Sequence, residues 1–158
     1  MTSPTLQHNQ PAAIEIPSKP QRIKLTQDID FFALFKRIER VFDTCYLLES
    51  LGEDSHISRH HAIGFDPVMT IAAINRTTLA ITDNKTAETN HYQTDNPYQL
   101  LRKITPQHVI AREQSGGLVG YLGYDSVNFF EPSLNAKPSD DFEPFKFGVY
   151  LDGLTLDK

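Results

Sequence analysis

The sequence has little cysteine, no excess of basic charge and no long apolar run. Its single cysteine, Cys45, cannot form an internal disulfide, which fits a reducing compartment, and we expect a cytoplasmic protein. A formal net charge of −5 argues against nucleic-acid binding, because phosphate contacts require clustered Lys and Arg. No apolar run approaches the roughly 20 residues of a membrane span, and the polar N-terminus lacks a secretory signal pattern. We therefore expect neither nucleic acid nor membrane as a partner.

The remaining composition is that of an ordinary globular domain. The chain has 158 residues, of which 39% are hydrophobic and 22% are charged, enough to bury one core. Four prolines lie among polar residues before position 21. Residues 1–24 are therefore predicted to be a flexible lead-in, and residues 25–158 to be the domain.

Two segments have the pattern of amphipathic helices. Apolar residues recur at helical spacing between positions 31 and 42, and this stripe predicts a core-packing helix with Thr26 or Asp28 as its N-cap. The stripe consists of Phe31, Leu34, Phe35, Ile38, Val41 and Phe42. A second helix is predicted from Asn96-Pro97, where Asn caps and Pro takes the first helical position, to the terminating Pro106.

Strand patterns fill much of the rest. Residues 45–49 predict a buried strand and Ala62–Phe65 a second one. Residues 68–74 predict a hairpin with residues 78–82 across a turn at Asn75-Arg76. The glycine-rich GGLVGYLGYD segment, residues 116–125, predicts a bent strand that lets another backbone or a ring approach closely.

The C-terminal pattern predicts another hairpin. Residues 145–151 read as a strand, Asp152-Gly153 as its two-residue turn, and residues 154–157 as the start of the return strand. Such a hairpin would have a second arm of only about four residues. We therefore expect the chain to be part of something longer.

No catalytic constellation is visible in the sequence. His60 and His61 are adjacent, so on a strand they point to opposite faces, and no further ligand lies at metal-binding spacing. The glycine-rich segment lacks both common phosphate-loop patterns. Cys45 lies in an apolar strand, where a thiol is normally inert. We predict neither catalytic nor metal-ligating residues in this chain.

Glu49 and Ser50 are the strongest candidates for ligand contact. They place a carboxylate and a hydroxyl at the end of a predicted buried strand. A carboxylate suits an ammonium group, and a hydroxyl can bond other polar groups of a small ligand. Arg59 could pair with Glu49 or bind a ligand carboxylate. The alternative is that Glu49 and Ser50 only end a strand and begin a loop.

Several segments, in order, resemble the N-terminal region of anthranilate synthase component I, within the chorismate-utilising enzyme family. They are LLES (residues 47–50), RHHAIGFDPVMTI (59–71), NPYQLLRKI (96–104) and GGLVGYLGYDSVNFFEP (116–132). The resemblance covers about residues 25 to 157. It implies an α+β fold in which antiparallel sheets pack with helices, as the N-terminal portion of a sandwich completed by a C-terminal catalytic domain.

The resemblance also implies an activity for the whole enzyme. Such an enzyme aminates chorismate, using ammonia from a glutamine amidotransferase subunit (component II), and eliminates pyruvate to give anthranilate. Mg²⁺ and chorismate would bind to the C-terminal domain, which would also contain the catalytic residues. This chain alone is therefore expected to be catalytically inactive.

For this chain the resemblance implies a regulatory site that binds L-tryptophan as a feedback inhibitor. The LLES serine and glutamate place that role on Ser50 and Glu49, and the segment at Arg59 and His60 lines the same pocket. Here the sequence departs from the family's usual Arg-Tyr-Ser, since His60 and His61 follow Arg59. Two alternatives remain. One is the N-terminal region of aminodeoxychorismate synthase component I, which shares the LLES segment and the glycine-rich segment that begins GGLVGYLGYD. The other is a stand-alone ligand-binding or assembly module.

Overall fold

A computed structural model describes residues 5–7, 10–19, 21–25, 29–50, 60–108 and 116–157. The α-helices are α1 (Phe31–Ile38) and α2 (Pro97–Ile104). The strands are β1 (Thr5–Gln7), β2 (Cys45–Leu48), β3 (His60–Phe65), β4 (Met69–Ala73), β5 (Thr78–Asp83), β6 (Glu88–Gln93), β7 (Gly117–Leu122), β8 (Phe145–Tyr150) and β9 (Leu154–Asp157). Short 3-10 helices span Tyr124–Phe129 and Pro132–Leu134.

Six of these strands form a large sheet in the order β1-β6-β5-β4-β8-β7. All neighbours are antiparallel except β1, which pairs in parallel with β6. The predicted hairpin of β4 and β5 is confirmed, with Ile71 opposite Ile81. Its turn is held by Asn75, whose side-chain oxygen accepts from the Thr77 amide at 2.8 Å. The polar strand β6 has no counterpart in the sequence prediction.

The other three strands form a small sheet in the order β2-β3-β9. Both pairings are antiparallel, and β3 is the central strand, buried at four of its six positions. Strand β2 lies at the edge and its residues are half-buried or exposed, so the prediction that it is buried was wrong. An edge strand is covered by a neighbour on one side only, which explains the difference.

The C-terminal hairpin prediction was wrong. Strand β8 pairs with β4 and β7 in the large sheet, whereas β9 pairs with β3 in the small one. The turn expected at Asp152-Gly153 is instead a crossing between the sheets. Gly153 packs so closely on β3 that an added Cβ would lie 2.8 Å from the Ile63 carbonyl oxygen. Strands that change sheets through such bends form the corners of packed sheets.

Helix α2 covers one face of the large sheet. The Asn96 side chain caps it by accepting from the Tyr98 and Gln99 amides, and Pro97 takes the first turn, as predicted. The core beneath it consists of Ile14, Ile16, Ile71, Ala73, Leu79, Leu100, Leu101, Ile104, Phe129, Phe145 and Val149. Ile14 and Ile16 belong to the segment expected to be a flexible lead-in, yet both are 95% buried. The boundary placed after residue 24 stays a prediction.

Helix α1 is shorter and less buried than its pattern predicts. It ends at Ile38, and none of its residues is buried, so the prediction of a core-packing helix was wrong. At its first residue the Phe31 ring meets His61 of the small sheet, with ring centroids 6.1 Å apart. The expected caps, Thr26 and Asp28, lie outside the described residues. Asp30 is the N-cap and accepts from the Ala33 amide at 2.9 Å.

The glycine-rich segment forms the edge strand β7, and its close-approach prediction is confirmed. At Gly120 an added Cβ would collide with the Lys146 carbonyl oxygen of the neighbouring strand β8. Only glycine fits this spacing of the two backbones.

The described structure is an α+β fold of two largely antiparallel sheets with helices, as predicted. Tyr46 of β2 meets Tyr150 of β8, with ring centroids 4.9 Å apart, and joins the two sheets. None of the described helices is long and apolar enough to cross a membrane.

Candidate ligand site at the end of strand β2

The candidate residues lie where β2 ends beside the beginning of β3. The pairing places Leu48 opposite Ala62. Continuing the same register puts Glu49 opposite His61 and Ser50 opposite His60. The sequence prediction grouped Glu49 and Ser50 with Arg59 and His60. The structure brings Glu49 and Ser50 together with the first two residues of β3.

Ser50 is tied to the sheet by its hydroxyl. Its Oγ donates a hydrogen bond to the His60 carbonyl oxygen at 3.0 Å. A neutral hydrogen bond of this kind stabilises a fold by about 1 kcal/mol. The hydroxyl oxygen still has lone pairs, so Ser50 can accept a hydrogen bond from a ligand while holding β3. The strand-ending role and the ligand-binding role are therefore compatible at Ser50.

Glu49 lies beside a buried imidazole. Its Oε1 is 3.4 Å from Nδ1 of His61, whose side chain is only 7% exposed, whereas that of Glu49 is 34% exposed. The geometry falls short of a hydrogen bond, and neither ring nitrogen of His61 has a hydrogen-bond partner among the described residues. Leaving a buried polar group unpaired costs about 1 to 3 kcal/mol. The pair thus joins a half-exposed carboxylate to a buried, unsatisfied imidazole.

Two apolar residues flank this imidazole. The Phe31 ring of α1 meets it edge-on, with centroids 6.1 Å apart and planes at 72°. Across the sheet, β9 places Leu156 opposite His61. Glu49 is consequently the one carboxylate that the described residues bring to the His61 ring.

His60 points away from this pair. As expected for adjacent strand residues, it takes the opposite face from His61. Its side chain is 47% exposed, and its Nδ1 lies 3.7 Å from Oδ1 of Asp157. His60 therefore reaches Ser50 through its backbone carbonyl rather than its ring. The predicted site residue Arg59 lies outside the described residues.

His61 is the site residue that sequence reasoning missed. The alternation of faces was clear from the sequence, but it did not say which histidine faces Glu49. Only the β2–β3 register decides this, and nine residues, 51–59, separate Ser50 from His60. A separation of that length in the sequence does not fix a register as a two-residue turn does. The tryptophan-binding roles of Glu49, Ser50, Arg59 and His60 stay predictions.

Neither a reactive thiol nor a metal-binding group is found among the described residues around the end of β2. Burial, and then the negative charge of Glu39, raise the pKa of the Cys45 thiol, so the reactive thiolate is scarce at neutral pH. In the part of the chain that the structure describes, no group of three or more His, Cys, Asp or Glu residues could hold a metal ion. The described residues therefore do not fit a Mg²⁺ site.

A separate hollow lies beside the end of β7. It encloses about 390 Å³ and is lined chiefly by aromatic rings, with one acidic and one basic side chain. Its lining residues are Tyr121, Gly123, Tyr124, Asp125, Lys137, Ser139 and Phe142. Glu49, Ser50 and His60, the predicted ligand-binding residues that the structure describes, are not among its lining residues.

Comparison with known proteins finds several relatives named anthranilate synthase component 1. No protein-family model matches the chain. The chain is 42% identical over 147 residues to anthranilate synthase component 1 of Leptospira biflexa, covering 92% of this chain and 30% of that protein. Its identity to the protein of the same name from Methanothermobacter thermautotrophicus is 37% over 123 residues, covering 78% and 25%.

A yeast relative extends this range. The chain is 32% identical over 101 residues to anthranilate synthase component 1 of Saccharomyces cerevisiae, covering 60% of this chain and 17% of the relative. The chain thus spans less than a third of the length of these relatives. Most of its own length, in contrast, matches proteins of that single name. The chain therefore belongs to the anthranilate synthase component 1 family, as a relative that covers only part of its members' length.

Proposed function

We propose that this chain is the N-terminal, tryptophan-sensing part of an anthranilate synthase component 1. The observation that supports this most strongly is the 42% identity, over nearly the whole chain, to a protein of that name. The intact enzyme would be a lyase that converts chorismate and glutamine-derived ammonia to anthranilate and pyruvate. The chain described here would not catalyse that reaction by itself.

The geometry at the end of β2 supports an amino acid as the ligand. Glu49 offers a half-exposed carboxylate, which can pair with an ammonium group. Ser50 is two residues past the end of β2, with its hydroxyl beside the His60 carbonyl, and it can accept a hydrogen bond from an indole NH or a second ammonium proton of a ligand that reaches over the end of the strand. Phe31 and the other half-buried residues of α1 supply apolar surface close by. An ammonium, a polar hydrogen and an aromatic ring are together the groups of L-tryptophan.

Inhibition would follow if the rest of the enzyme completed this pocket. A ligand held between two parts of a protein favours the arrangement in which both parts contact it. Binding at β2 could thereby shift a distant active site without touching it. On its own, the chain would bind tryptophan weakly, because it offers only one wall of the pocket.

The partners of the proposed enzyme follow from the same assignment. The name component 1 indicates a second component, which we propose to be the glutamine amidotransferase subunit that supplies ammonia. Chorismate and Mg²⁺ would bind to residues outside this chain. A cytoplasmic location is part of the same proposal.

The test is calorimetric titration of L-tryptophan into the intact protein that contains this chain, beside its Ser50→Leu variant. The wild type should bind with saturable heat. Leucine removes the hydroxyl and fills the ligand's space, so the affinity of the Ser50→Leu variant should be at least tenfold lower, a loss of roughly 1.4 kcal/mol. Ser133→Leu makes the same substitution at an exposed serine of a 3-10 helix and should bind normally. No saturable heat in the wild type would refute the tryptophan site.

Assay of the product separates the two chorismate enzymes. Anthranilate formation by the intact protein with glutamine would support the proposal, and aminodeoxychorismate formation would favour the folate-pathway alternative. The relatives reported above carry the anthranilate synthase name, which favours the first. The stand-alone module would be identified by a coding sequence that ends after Lys158.

A further inference from the structure

The hollow beside the end of β7 contains a buried carboxylate with little to bond. Asp125 lies in the first turn of the 3-10 helix Tyr124–Phe129 and is only 7% exposed. Within the described part of the chain its one hydrogen bond comes from the Ser139 amide to Oδ2, over a long 3.4 Å. It forms no ion pair with any described residue. Buried carboxylates are usually paired, so Asp125 has capacity that the fold does not use.

The surroundings of Asp125 keep its carboxylate accessible to a ligand. Gly123 leaves room for it, since an added Cβ would lie 2.9 Å from Asp125 Oδ1. The Gly123 amide donates to the Pro144 carbonyl at 2.7 Å, which holds the backbone at this point. Asp125 also borders a second hollow, of about 280 Å³. The carboxylate therefore lies between two hollows, where a small molecule can reach it.

Aromatic rings form the walls of the first hollow. The rings of Tyr121 and Phe142 meet almost at right angles, with planes at 84° and centroids 6.2 Å apart. Tyr124 adds a ring that is 90% exposed. The nearby Glu143 is engaged by the Tyr121 hydroxyl and by Lys146. Of the residues that line the hollow in the described structure, Asp125 is the only acid.

We propose that this hollow binds a small organic ammonium ion, whose charged nitrogen pairs with Asp125 and whose apolar part lies between the rings. Aromatic faces attract a cation and cover hydrocarbon at the same time. A carboxylate adds a charge-assisted hydrogen bond. The volume of about 390 Å³ is in the usual range for small-molecule sites. This site uses none of the residues proposed for tryptophan and goes beyond that function.

Lys137 also lines the hollow and carries the same charge as the proposed ligand. Its side chain is exposed, whereas Asp125 is buried. Water and salt screen an exposed charge, while a buried charge acts in a medium of lower dielectric constant. The attraction by Asp125 therefore outweighs the repulsion by Lys137, and the hollow favours a cation.

The experiment is calorimetric titration of 2-phenylethylamine into the intact protein that contains this chain, beside the neutral analogue 2-phenylethanol. The wild type should bind the amine saturably and the alcohol about tenfold more weakly. Asp125→Asn keeps an acceptor for the Ser139 amide but removes the charge, so amine affinity should fall about tenfold and alcohol affinity should not change. Asp140→Asn, at an exposed acid beside Ser139, should bind the amine normally. An amine that does not bind the wild type, or binds Asp125→Asn equally well, overturns the proposal.

Two further positions test the walls and the charge of the hollow. Tyr124→Leu keeps apolar surface but removes the ring, so amine affinity should fall about two- to fivefold, whereas Tyr124→Phe should bind normally. An unchanged affinity in Tyr124→Leu would overturn the ring contact. Lys137→Gln removes the like charge and should raise amine affinity about two- to fivefold. Weaker binding in that variant would overturn the assignment to a simple cation.

The outcome is independent of the tryptophan proposal. Tryptophan binding is tested at Ser50 and amine binding at Asp125, and the two sites share no residue. Loss of either binding in the wild type therefore refutes one proposal and leaves the other standing.

Discussion

The two sheets of this protein carry helices of the same length but bury them very differently. Helices α1 and α2 each have eight residues, a side-chain N-cap and an apolar stripe. Helix α2 buries four residues on the large sheet, whereas α1 buries none on the small one. Exposed apolar side chains on the small-sheet side include Phe32, Val41 and Leu48.

The contrast shows that an apolar stripe in the sequence does not by itself determine how deeply a helix is buried. An apolar stripe favours burial, but its stabilisation is proportional to the surface that a neighbour covers. The large sheet supplies six strands, a 3-10 helix and the segment around Ile14 and Ile16 for α2 to pack against. The small sheet supplies three strands. The candidate ligand site lies on the less covered sheet, where apolar surface remains for a ligand or a further part of the protein.

The largest expected change in stability that tests this contrast comes from replacing two phenylalanines, one on each sheet. Phe145 is fully buried in the large-sheet core, between the rings of Phe129, Tyr98 and Phe147. Phe145→Ala should lower the free energy of unfolding by about 3 to 5 kcal/mol, because it leaves a cavity. Phe35→Ala in α1, which is only half-buried, should lower it by about 1 to 2 kcal/mol. Chemical denaturation followed by circular dichroism measures both.

Equal losses in the two variants would contradict the contrast, since they would mean that α1 is as tightly packed as the large-sheet core. Phe32→Ala is the matched control in the same helix. Its side chain is 54% exposed, so the substitution should change stability by about 0.5 kcal/mol or less.

Removing the helix caps sharpens the comparison at a smaller scale. Asn96→Ala deletes the acceptor for two α2 amides and the donor to the Phe129 carbonyl, so global stability should fall by about 1 kcal/mol or slightly more. Asp30→Ala deletes an equivalent cap from α1. Since α1 buries no residue, its loss should appear as faster amide exchange within α1 and only a small global change.

Hydrogen exchange alongside denaturation distinguishes these two responses. Matched global losses in Asn96→Ala and Asp30→Ala would show that α1 unfolds together with the large sheet. That result would remove the distinction drawn between the two regions.

The smallest predicted effect concerns alkaline pH. Burial, together with the hydrogen bond to Glu143 and the charge of that carboxylate, raises the pKa of Tyr121 to about 12. Its hydroxyl donates to Glu143 Oε2 at 2.8 Å. Because the folded pKa lies above the unfolded value of 10, this contribution to stability is complete below pH 10 and is lost as the pH rises toward 12.

Tyr121→Phe should therefore weaken the loss of stability between pH 10 and pH 12, as measured by denaturant unfolding at each pH. Tyr124→Phe, at a 90% exposed ring, should follow the wild-type curve. A Tyr121→Phe curve that is parallel to the wild type would show that the Glu143 bond does not stabilise the fold.

Local signals in the sequence predicted the parts of the fold that neighbouring residues determine. Asn75 marked the β4–β5 turn, Asn96 capped α2, and Gly120 marked a close backbone approach. Each signal acts through the conformation of one or two residues. The structure confirms all three.

Long-range pairing could not be predicted in the same way. Strand β6 is polar, and its place comes from pairing with β5, including the 2.9 Å contact between the hydroxyls of Thr82 and Thr89. Strand β9 was assigned to β8 because Asp152-Gly153 is a good hairpin turn, but β3 offers it the other pairing. The candidate site shows the same limit. Glu49 and Ser50 could be predicted from their place after an apolar strand, whereas the contact of His61 with Glu49 depends on the register between β2 and β3.

Two short connections carry the chain between the sheets: residues 66–68 join β3 to β4, and residues 151–153 join β8 to β9. The first is a sharp bend, with Asp66 at φ 51° and the Val68 amide donating to the Val149 carbonyl. The second holds Gly153 against Ile63. The Tyr46–Tyr150 ring contact adds a third link between the same two sheets. The small sheet, with Glu49 and Ser50 at its rim, is thereby held to the large sheet by backbone at two short connections and by side chains between them.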